Sequence, residues 1–361
     1  MSKDLFKQHK PLLDEAIAAI ESRCFYSAYP EIPSGKIYGE SAKQDGQDAF
    51  EGYIGSTFTL NQCSADSTVG GEHSPYGIEI ATQYPCVDIE NLILQVRAAC
   101  PSWRNASVET RIGCALEILH RINKRSFEMA FAVMHTTGQG FMMAFQAGGP
   151  HAQDRGLEAI AYAYKAMNDC PTEVTWKKQV GRDDFVTLEK TFSIVPRGIG
   201  LVIGCSTFPT WNTYPGLFAS LVTGNAVIVK PHPGAILPLA ITVSICQEVL
   251  QEAGFDAHVV TLVADTAEQP ITAELVERPE IKIIDYTGSS AFGNWVEEHA
   301  GDAVVYTEKA GVNSIIIDSV EQMKAVSGNI AFSLCLYSGQ MCTTPQNIFI
   351  PKGGIETNDG H

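Results

Sequence analysis

The sequence lacks the signatures of several common protein classes. Its ten cysteines include no Cys-x-x-Cys pair, which argues against a disulfide framework and against a structural zinc site. There is no His-Glu-x-x-His motif, and no glycine is followed by the Lys-Ser/Thr of a P-loop. No apolar run approaches the roughly 18 residues that a membrane-spanning helix needs. We therefore predict neither a metalloenzyme nor an integral membrane protein.

Basic residues are also scarce. The chain has 25 Lys and Arg against 41 Asp and Glu, a net charge of −16. Such a surface repels phosphate backbones and anionic lipids, so we predict no nucleic-acid partner and no membrane partner. The first seven residues alternate charged and apolar side chains instead of forming the apolar core of a signal peptide. Together with the scattered cysteines, this indicates a cytoplasmic protein with reduced thiols.

What the sequence does contain is a series of short apolar runs that alternate with segments of helical length. Strands that are apolar on both faces and alternate with helices are typical of a parallel sheet covered on both sides. We predict an α/β fold with a Rossmann-type cofactor domain, which binds its ligand beyond the carboxyl ends of the strands. The predicted strands are 199–204, 226–230, 259–263 and 281–286, and the predicted helices between them are 214–221, 237–253 and 267–276.

The remaining sequence suggests three parts. Residues 1–87 read as an N-terminal helix followed by an irregular arm rich in Gly, Pro, Ser and Tyr. Residues 88–307 contain the predicted parallel sheet and begin with a helix that Pro101 interrupts and a second helix capped by Ser107. A Gly-rich turn is expected at 138–149. Residues 308–361 form the third part.

One cysteine stands out by its surroundings. Cys342 follows Ser338-Gly339-Gln340-Met341, an irregular segment that can expose a thiol to a cavity. We interpret Cys342 as a nucleophile. The alternative is that it packs as a small hydrophobic residue, as free cysteines commonly do.

Two polar residues follow predicted strands and are therefore expected at the same sheet edge. Lys230 ends the run 226–230, and Asn212 follows the run 199–204. For Lys230 the alternative is an exposed lysine at a strand end. For Asn212 it is a local hydrogen bond to the backbone of a turn.

Two further groups could serve chemistry at that edge. Gly288 and Ser289 follow the run 281–286 and open a helix, where free N–H groups favour an anion such as phosphate. The spacing is not Gly-x-Gly-x-x-Gly, so a simple turn with a serine cap is the alternative. Glu308 is a candidate general base, and the alternative is a solvated loop residue.

The combination of these residues is more informative than any one of them. The order Trp211-Asn212, Val229-Lys230-Pro231, Thr287-Gly288-Ser289, Glu308 and Gly339-Gln340-Met341-Cys342 closely resembles the aldehyde dehydrogenase superfamily over roughly residues 88 to 351. With its long N-terminal arm, the whole chain looks most like the phenylacetic acid degradation branch of that family.

The resemblance implies that residues 88–307 are the cofactor-binding domain and that residues 308–361 are the start of an incomplete α/β catalytic domain. It also implies a catalytic mechanism. Cys342 would attack the aldehyde carbon, and the Asn212 amide and the Cys342 backbone N–H would hold the resulting oxyanion. Glu308 would activate the water that hydrolyses the thioester, so that the product is a carboxylic acid. The cofactor would be NAD or NADP.

The resemblance also implies cofactor contacts. Lys230 would bind the adenosine ribose, Gly288 and Ser289 would meet the pyrophosphate, and Pro209 and Trp211 would line the cofactor site.

One departure from the family bears on the choice of cofactor. The family often has Glu three residues after the strand-end lysine, and this chain has Pro233 there. Losing that carboxylate removes repulsion against a 2′-phosphate, so NADP is as suitable as NAD.

The expected partner is a small-molecule aldehyde, a semialdehyde from aromatic ring cleavage that is carried on CoA. Relatives continue beyond the strand that follows the cysteine, so we expect a truncated chain or a fragment, and a homo-oligomer for the full-length protein. Two alternatives remain open. One is a CoA-acylating relative, against which Glu308 argues, and the other is a non-catalytic remnant that binds a nucleotide or a partner chain.

Overall fold

The computed structural model describes residues 2–358 and residue 360, and it begins with a long amphipathic helix. The apolar face of this helix buries Leu13 and Ala16, so it packs on the rest of the protein. The following arm has little regular structure, as predicted. The elements of this part are α1 (Ser2–Ser22), α2 (Gly35–Tyr38), α3 (Ala42–Glu51) and the antiparallel strand pair β1 (Thr68–Val69) and β2 (Tyr84–Pro85).

A buried carboxylate fixes the arm to the rest of the fold. Glu72 accepts hydrogen bonds from the backbone N–H groups of Ile236 at 2.6 Å and Leu237 at 2.9 Å, and from the Tyr84 hydroxyl at 2.5 Å. These three bonds offset the cost of removing a carboxylate from water. The arm is therefore anchored at the N-terminus of the helix that begins at Leu237.

Five helices follow the arm. Ser107 caps the second of them by accepting from Thr110 N at 3.2 Å, which confirms that prediction. Pro101 lies inside the first helix, which continues to Arg104, so the predicted interruption is wrong. The helix tolerates the loss of one backbone hydrogen bond there and ends within the next turn. The predicted turn at 138–149 is also wrong, since most of it is helical. These helices are α4 (Ile89–Arg104), α5 (Val108–Lys124), α6 (Ser126–Thr137), α7 (Phe141–Gly148) and α8 (Pro150–Asn168).

A β-hairpin that was not predicted separates this bundle from the main sheet. Its strands, β3 (Glu173–Gln179) and β4 (Phe185–Thr191), pair in antiparallel register, and all their residues are solvent-exposed. Trp176 and Leu188, which face each other across the pair, are 38% and 47% exposed. The hairpin thus presents apolar side chains without a covering layer.

The centre of the fold is a parallel sheet of five strands, which confirms the predicted α/β class. Its strand order is β7-β6-β5-β8-β9, so the chain reverses its winding direction between β5 and β8, the kind of place where such sheets bind ligands. The elements are β5 (Ile199–Ile203), α9 (Pro209–Val222), β6 (Ala226–Lys230), α10 (Leu237–Glu252), β7 (Val260–Leu262), α11 (Thr272–Val276), β8 (Ile281–Thr287), α12 (Ser290–His299) and β9 (Val304–Glu308).

The core lies on both faces of this sheet. Alternate residues of β6 enter different clusters: Val227 and Val229 pack with α5, α9 and α10, whereas Ile228 packs with α4, α11 and α12. This two-sided burial explains why the strand reads as a continuous apolar run.

The last part of the chain holds fewer buried residues. Strands β10 (Asn313–Ile316) and β11 (Pro345–Phe349) form a separate parallel pair, and α13 (Met323–Cys335) lies between them in sequence with no buried residue. A short 3-10 turn, Leu336–Gly339, follows α13. It leads into the loop that carries Cys342.

Candidate active site

A cavity of about 540 Å³ lies at the carboxyl ends of the parallel strands. The segments that follow β5, β6, β8 and β9 form its walls, and the loop before β11 closes one side. Parallel strands all end at one edge, which brings residues distant in sequence together. Six predicted site residues line this cavity: Asn212, Lys230, Gly288, Ser289, Glu308 and Cys342.

The Glu308 carboxylate joins two of the predicted catalytic residues. Its Oε1 accepts a hydrogen bond from Cys342 Sγ at 3.4 Å, and its Oε2 accepts one from Asn212 Nδ2 at 3.2 Å. Glu308 is the last residue of β9 and pairs with Thr287 of β8. The Glu308 carboxylate, at the carboxyl end of β9, therefore bridges the Cys342 thiol and the Asn212 amide.

The loop around Cys342 holds the thiol by an irregular backbone. Tyr337 and Ser338 have φ of 50° and 59°, a region that side chains other than Gly and Asn seldom adopt. Asn313 Nδ2 donates to the Cys342 carbonyl at 2.5 Å. Partial burial and the adjacent Glu308 carboxylate raise the pKa of the Cys342 thiol. The thiol is thus protonated at rest, with an acceptor for its proton already in contact.

A second thiol, which was not predicted, lies at the same edge. Cys205 Sγ contacts the Asn212 Oδ1 at 3.7 Å and the Thr207 Oγ1 at 3.6 Å. The signal was present in the sequence, because Cys205 directly follows the predicted strand 199–204, at the edge where Lys230 ends β6. Asn212 is therefore held from both ends of its amide.

Lys230 is not the exposed strand-end lysine of the alternative interpretation. It is 2% exposed, and its Nζ donates to Asp265 Oδ1 at 2.6 Å and to the Pro231 carbonyl at 2.7 Å. Burial lowers the pKa of Lys230, and Asp265 opposes that shift. Asp265 also accepts from Ile271 N at 3.0 Å. The sequence analysis did not identify Asp265 as the partner of Lys230. Asp265 lies just after the end of β7, and β7 is the neighbour of β6 in the sheet.

The N-terminus of α12 faces the cavity. Ser289 caps this helix by accepting from Phe292 N at 3.3 Å, and its side chain remains exposed. A Cβ at Gly288 would lie 2.4 Å from the Tyr286 Oη, so only glycine fits there. Ser289 therefore caps the helix, as in the alternative interpretation. The other N–H groups of the first helical turn have no partner within the helix and remain available to an anion.

The chain matches the model of the aldehyde dehydrogenase family over residues 77–357. It belongs to this family. The match covers all the cavity residues described above and confirms the family that the motif order predicted.

Solved structures agree with this assignment. A crystal structure of an NAD-dependent aldehyde dehydrogenase from Burkholderia multivorans is 57% identical, with a TM-score of 0.96 over 99% of this chain and 64% of that chain. An NAD-bound 1-pyrroline-5-carboxylate dehydrogenase from Thermus is 20% identical, with a TM-score of 0.74 over 91% of this chain and 64% of that chain. The second likeness shows the fold alone.

Among curated proteins, an N-succinylglutamate 5-semialdehyde dehydrogenase from Burkholderia multivorans is 28% identical over 271 residues, which are 74% of this chain and 52% of that protein. The chain thus spans about half the length of the curated relatives it matches. Their names do not mention phenylacetate degradation, so that branch stays a prediction, as does truncation.

Within this family member, two predicted cofactor residues lie away from the thiol cavity. Pro209 is buried as the first residue of α9. Trp211 lines a second cavity of about 960 Å³, where the Arg155 guanidinium lies 5.0 Å from its ring centre. Successive helical residues point about 100° apart, so Asn212 faces the thiol cavity and contacts Glu308, while Trp211 faces the N-terminal arm. The predicted contact of Pro209 and Trp211 with the cofactor stays a prediction.

The described residues include neither a metal-binding cluster nor a membrane-spanning helix. They hold no group of three or more His, Cys, Asp or Glu that could bind a metal ion. No helix within 2–358 has both the length and the apolar character needed to cross a membrane.

Proposed function

We propose that the protein oxidises an aldehyde to a carboxylic acid with NAD or NADP, through a thioester on Cys342. The observation that carries the proposal is the Glu308 carboxylate, which contacts the Cys342 thiol and the Asn212 amide at the ligand-binding edge of the sheet. A nucleophile within reach of a base, and an amide beside both, is the arrangement that acyl chemistry requires.

The first step is formation of the carbon–sulfur bond. Glu308 takes the thiol proton, and the Cys342 thiolate adds to the carbonyl carbon of the aldehyde. Asn212 Nδ2 has a second hydrogen beyond the one it gives to Glu308, and this hydrogen and the Cys342 N–H stabilise the oxyanion. One such donor contributes about 3 kcal/mol to transition-state stabilisation.

The second half of the reaction regenerates the thiol. A nicotinamide cofactor supplies the hydride acceptor for the oxidation. Loss of hydride from the carbon bonded to Cys342 leaves a thioester. Glu308 releases the thiol proton to solvent and then removes a proton from water, whose oxygen adds to the thioester carbon. The carbon–sulfur bond breaks to release the acid, and the Cys342 thiolate takes the proton back from Glu308.

The residues around the cavity suit a dinucleotide. The ten-residue helix α12 directs its first-turn N–H groups and the exposed Ser289 toward the cavity, which fits a pyrophosphate. The buried Lys230 and the half-buried Pro233, which end or follow β6, form another part of the cavity wall. Because Pro233 carries no charge, both NAD and a cofactor with a 2′-phosphate are compatible with this wall.

For the substrate we propose a semialdehyde. The curated relatives named for N-succinylglutamate 5-semialdehyde support this class. The finer proposal is a CoA-linked semialdehyde from phenylacetate degradation, which the resemblance of the whole chain suggested. Glu308 favours hydrolysis over transfer to CoA, since a CoA-acylating enzyme does not need an activated water.

We also propose a homo-oligomer in the cytoplasm, with the three parts 1–87, 88–307 and 308–361 as its structural units. An isolated two-stranded hairpin is marginal in water. The exposed apolar residues of β3 and β4 are therefore suited to pair with another copy of the chain.

The test is NAD(P)H formation with a panel of aldehydes that includes N-succinylglutamate 5-semialdehyde. The Cys342→Ala variant should lose activity, and the matched Cys170→Ala variant, altered at an exposed thiol, should keep it. Product analysis with CoA present separates the acid from an acyl-CoA. Unchanged turnover in Cys342→Ala would overturn the proposal, and folded protein that binds NADP without turnover would favour the nucleotide-binding remnant.

A further inference from the structure

A carboxyl group that the proposed reaction does not use lies directly below Glu308. Asp285 belongs to β8, and its side chain packs against α9 at Gly216. A Cβ at Gly216 would lie 2.6 Å from both Cγ and Oδ2 of Asp285. Only glycine at this point of the helix leaves room for the carboxyl group.

Asp285 and Glu308 project from the same face of the sheet. Asp285 pairs with Tyr306, and Thr287 pairs with Glu308. Residues two apart in a strand share a face, so the Asp285 carboxyl lies one strand repeat below the Glu308 carboxylate. On the covering helix, Gly216 follows Asn212 by four residues, which puts both on the helix face that contacts these carboxyl groups.

The surroundings of the two carboxyl groups differ. Glu308 accepts hydrogen bonds from Cys342 and Asn212, which favour its ionised form. No described residue donates a hydrogen bond or forms an ion pair with the Asp285 carboxyl, which is mostly shielded from water.

The groups that face Asp285 give it no positive partner. Helix α9 contains no charged residue, and its Tyr214 is bonded to Thr242 at 2.9 Å. Strand β5 has no ionisable residue, and β9 contributes the exposed Tyr306 and Glu308. Burial, and then the charge of Glu308, raise the pKa of Asp285 to about 7.

We propose that Asp285 and Glu308 act as a coupled pair of carboxyl groups, in which Asp285 holds the proton and Glu308 holds the charge. This inference rests on the proposed role of Glu308 as the base. Two neighbouring carboxyl groups in unequal surroundings separate into an acid and a base. Asp285 is a positioning residue, because it contacts neither the thiol nor the cavity.

The pair has a functional consequence. While Asp285 is protonated, Glu308 is the single negative charge beside the thiol. When Asp285 ionises, a second negative charge near the site disfavours the Cys342 thiolate. Activity therefore declines on the alkaline side of the Asp285 titration.

The first test does not need turnover. Infrared difference spectra of the full chain, recorded across pH, follow the carbonyl band of a protonated carboxyl group. We expect this band to persist close to neutral pH in the wild type and in the exposed-site control Asp302→Asn, and to be missing in Asp285→Asn. In Glu308→Gln the midpoint of the band should move to lower pH, because the like charge is gone. A band that survives Asp285→Asn, or a midpoint that Glu308→Gln leaves unchanged, would overturn the pair.

The second test compares pH profiles of acid formation. Asp285→Asn keeps the shape and the neutral charge of the protonated residue, so its kcat should match the wild type within about twofold near pH 6. Near pH 9 it should exceed the wild type by up to about tenfold, the factor for a coupling of one pKa unit. A variant that is slower by the same factor at every pH would indicate a purely structural role and overturn the inference. If the wild type itself has no turnover, the proposed function fails, and the infrared result still decides the pair.

Discussion

Cys342 Sγ donates a hydrogen bond to Glu308 Oε1 at 3.4 Å. Glu308 is the last residue of β9, and Cys342 lies in the loop before β11. The two residues meet because this loop passes over the edge of the sheet where β9 ends. The same carboxylate that can receive the thiol proton also keeps the resting thiol protonated, since its negative charge opposes a thiolate. In the proposed reaction, the Cys342 thiol is thus activated by proton transfer to Glu308 and not by a lowered pKa.

Glu308→Gln should therefore make the Cys342 thiol more reactive while abolishing acid formation. Removing the carboxylate removes two of the causes that raise the pKa of Cys342. We expect iodoacetamide to alkylate Cys342 about three- to tenfold faster near pH 8, because the thiolate is the reactive form. Peptide-resolved mass spectrometry gives the rate, and the exposed Cys170 is the internal control. An equal or slower rate at Cys342 would contradict this account.

The buried ion pair behind the cavity should be costly to break. Both Lys230 and Asp265 have side chains that are 2% exposed, so Asp265→Ala leaves an unpaired ammonium in the core. We expect a loss of about 3–5 kcal/mol in the free energy of unfolding, measured by denaturant titration. The double variant Lys230→Met/Asp265→Leu should lose less than Asp265→Ala.

A surface pair supplies the comparison for that experiment. Lys165 and Asp169 lie at 3.5 Å with side chains 38% and 66% exposed, and Asp169→Ala should change stability far less. Equal effects at the two pairs would mean that burial does not set the cost.

The contact between Gly216 and Asp285 predicts a coupled pair of substitutions. Gly216→Ala should destabilise the protein by about 1–3 kcal/mol, because the new methyl group meets the carboxyl group. When Asp285 is already replaced by Ala, the loss of unfolding free energy caused by Gly216→Ala should be smaller. The control is Gly328→Ala in α13, where no atom lies within 4 Å of the added carbon and about 1 kcal/mol of helix stabilisation is expected. Additive effects at positions 216 and 285 would refute the contact.

The pKa of Asp285 predicts how stability depends on pH. Its folded value, about 7, lies above the unfolded value, so the folded chain binds more protons between pH 4 and 7. The unfolding free energy therefore falls as pH rises through this window. Asp285→Asn should remove this contribution, at most about 4 kcal/mol at pH 8. A difference between the two chains that is constant from pH 4 to pH 8 would rule this out.

Much of the site was predictable because its polar and reactive residues lie at or just after the ends of the predicted strands. The apolar runs at 199–204, 226–230 and 281–286 indicated a parallel sheet, and the polar residues after them had to meet at one edge. The position of Trp211 could not be predicted, because a motif gives the order of residues but not the direction in which each side chain leaves a helix. The hairpin of β3 and β4 was missed as well, since its exposed strands bury no face.

The sequence by itself determined the α/β fold, the family, and the residues that gather around Cys342, because strand burial and motif order are local properties of the chain. Only the tertiary structure decided which atoms touch. Asp265 contacts Lys230, and Gly216 leaves space for the Asp285 side chain next to Glu308. Both contacts join segments that are far apart in sequence. Local patterns carry no information on such distances, and these contacts set the charge on each group at the site.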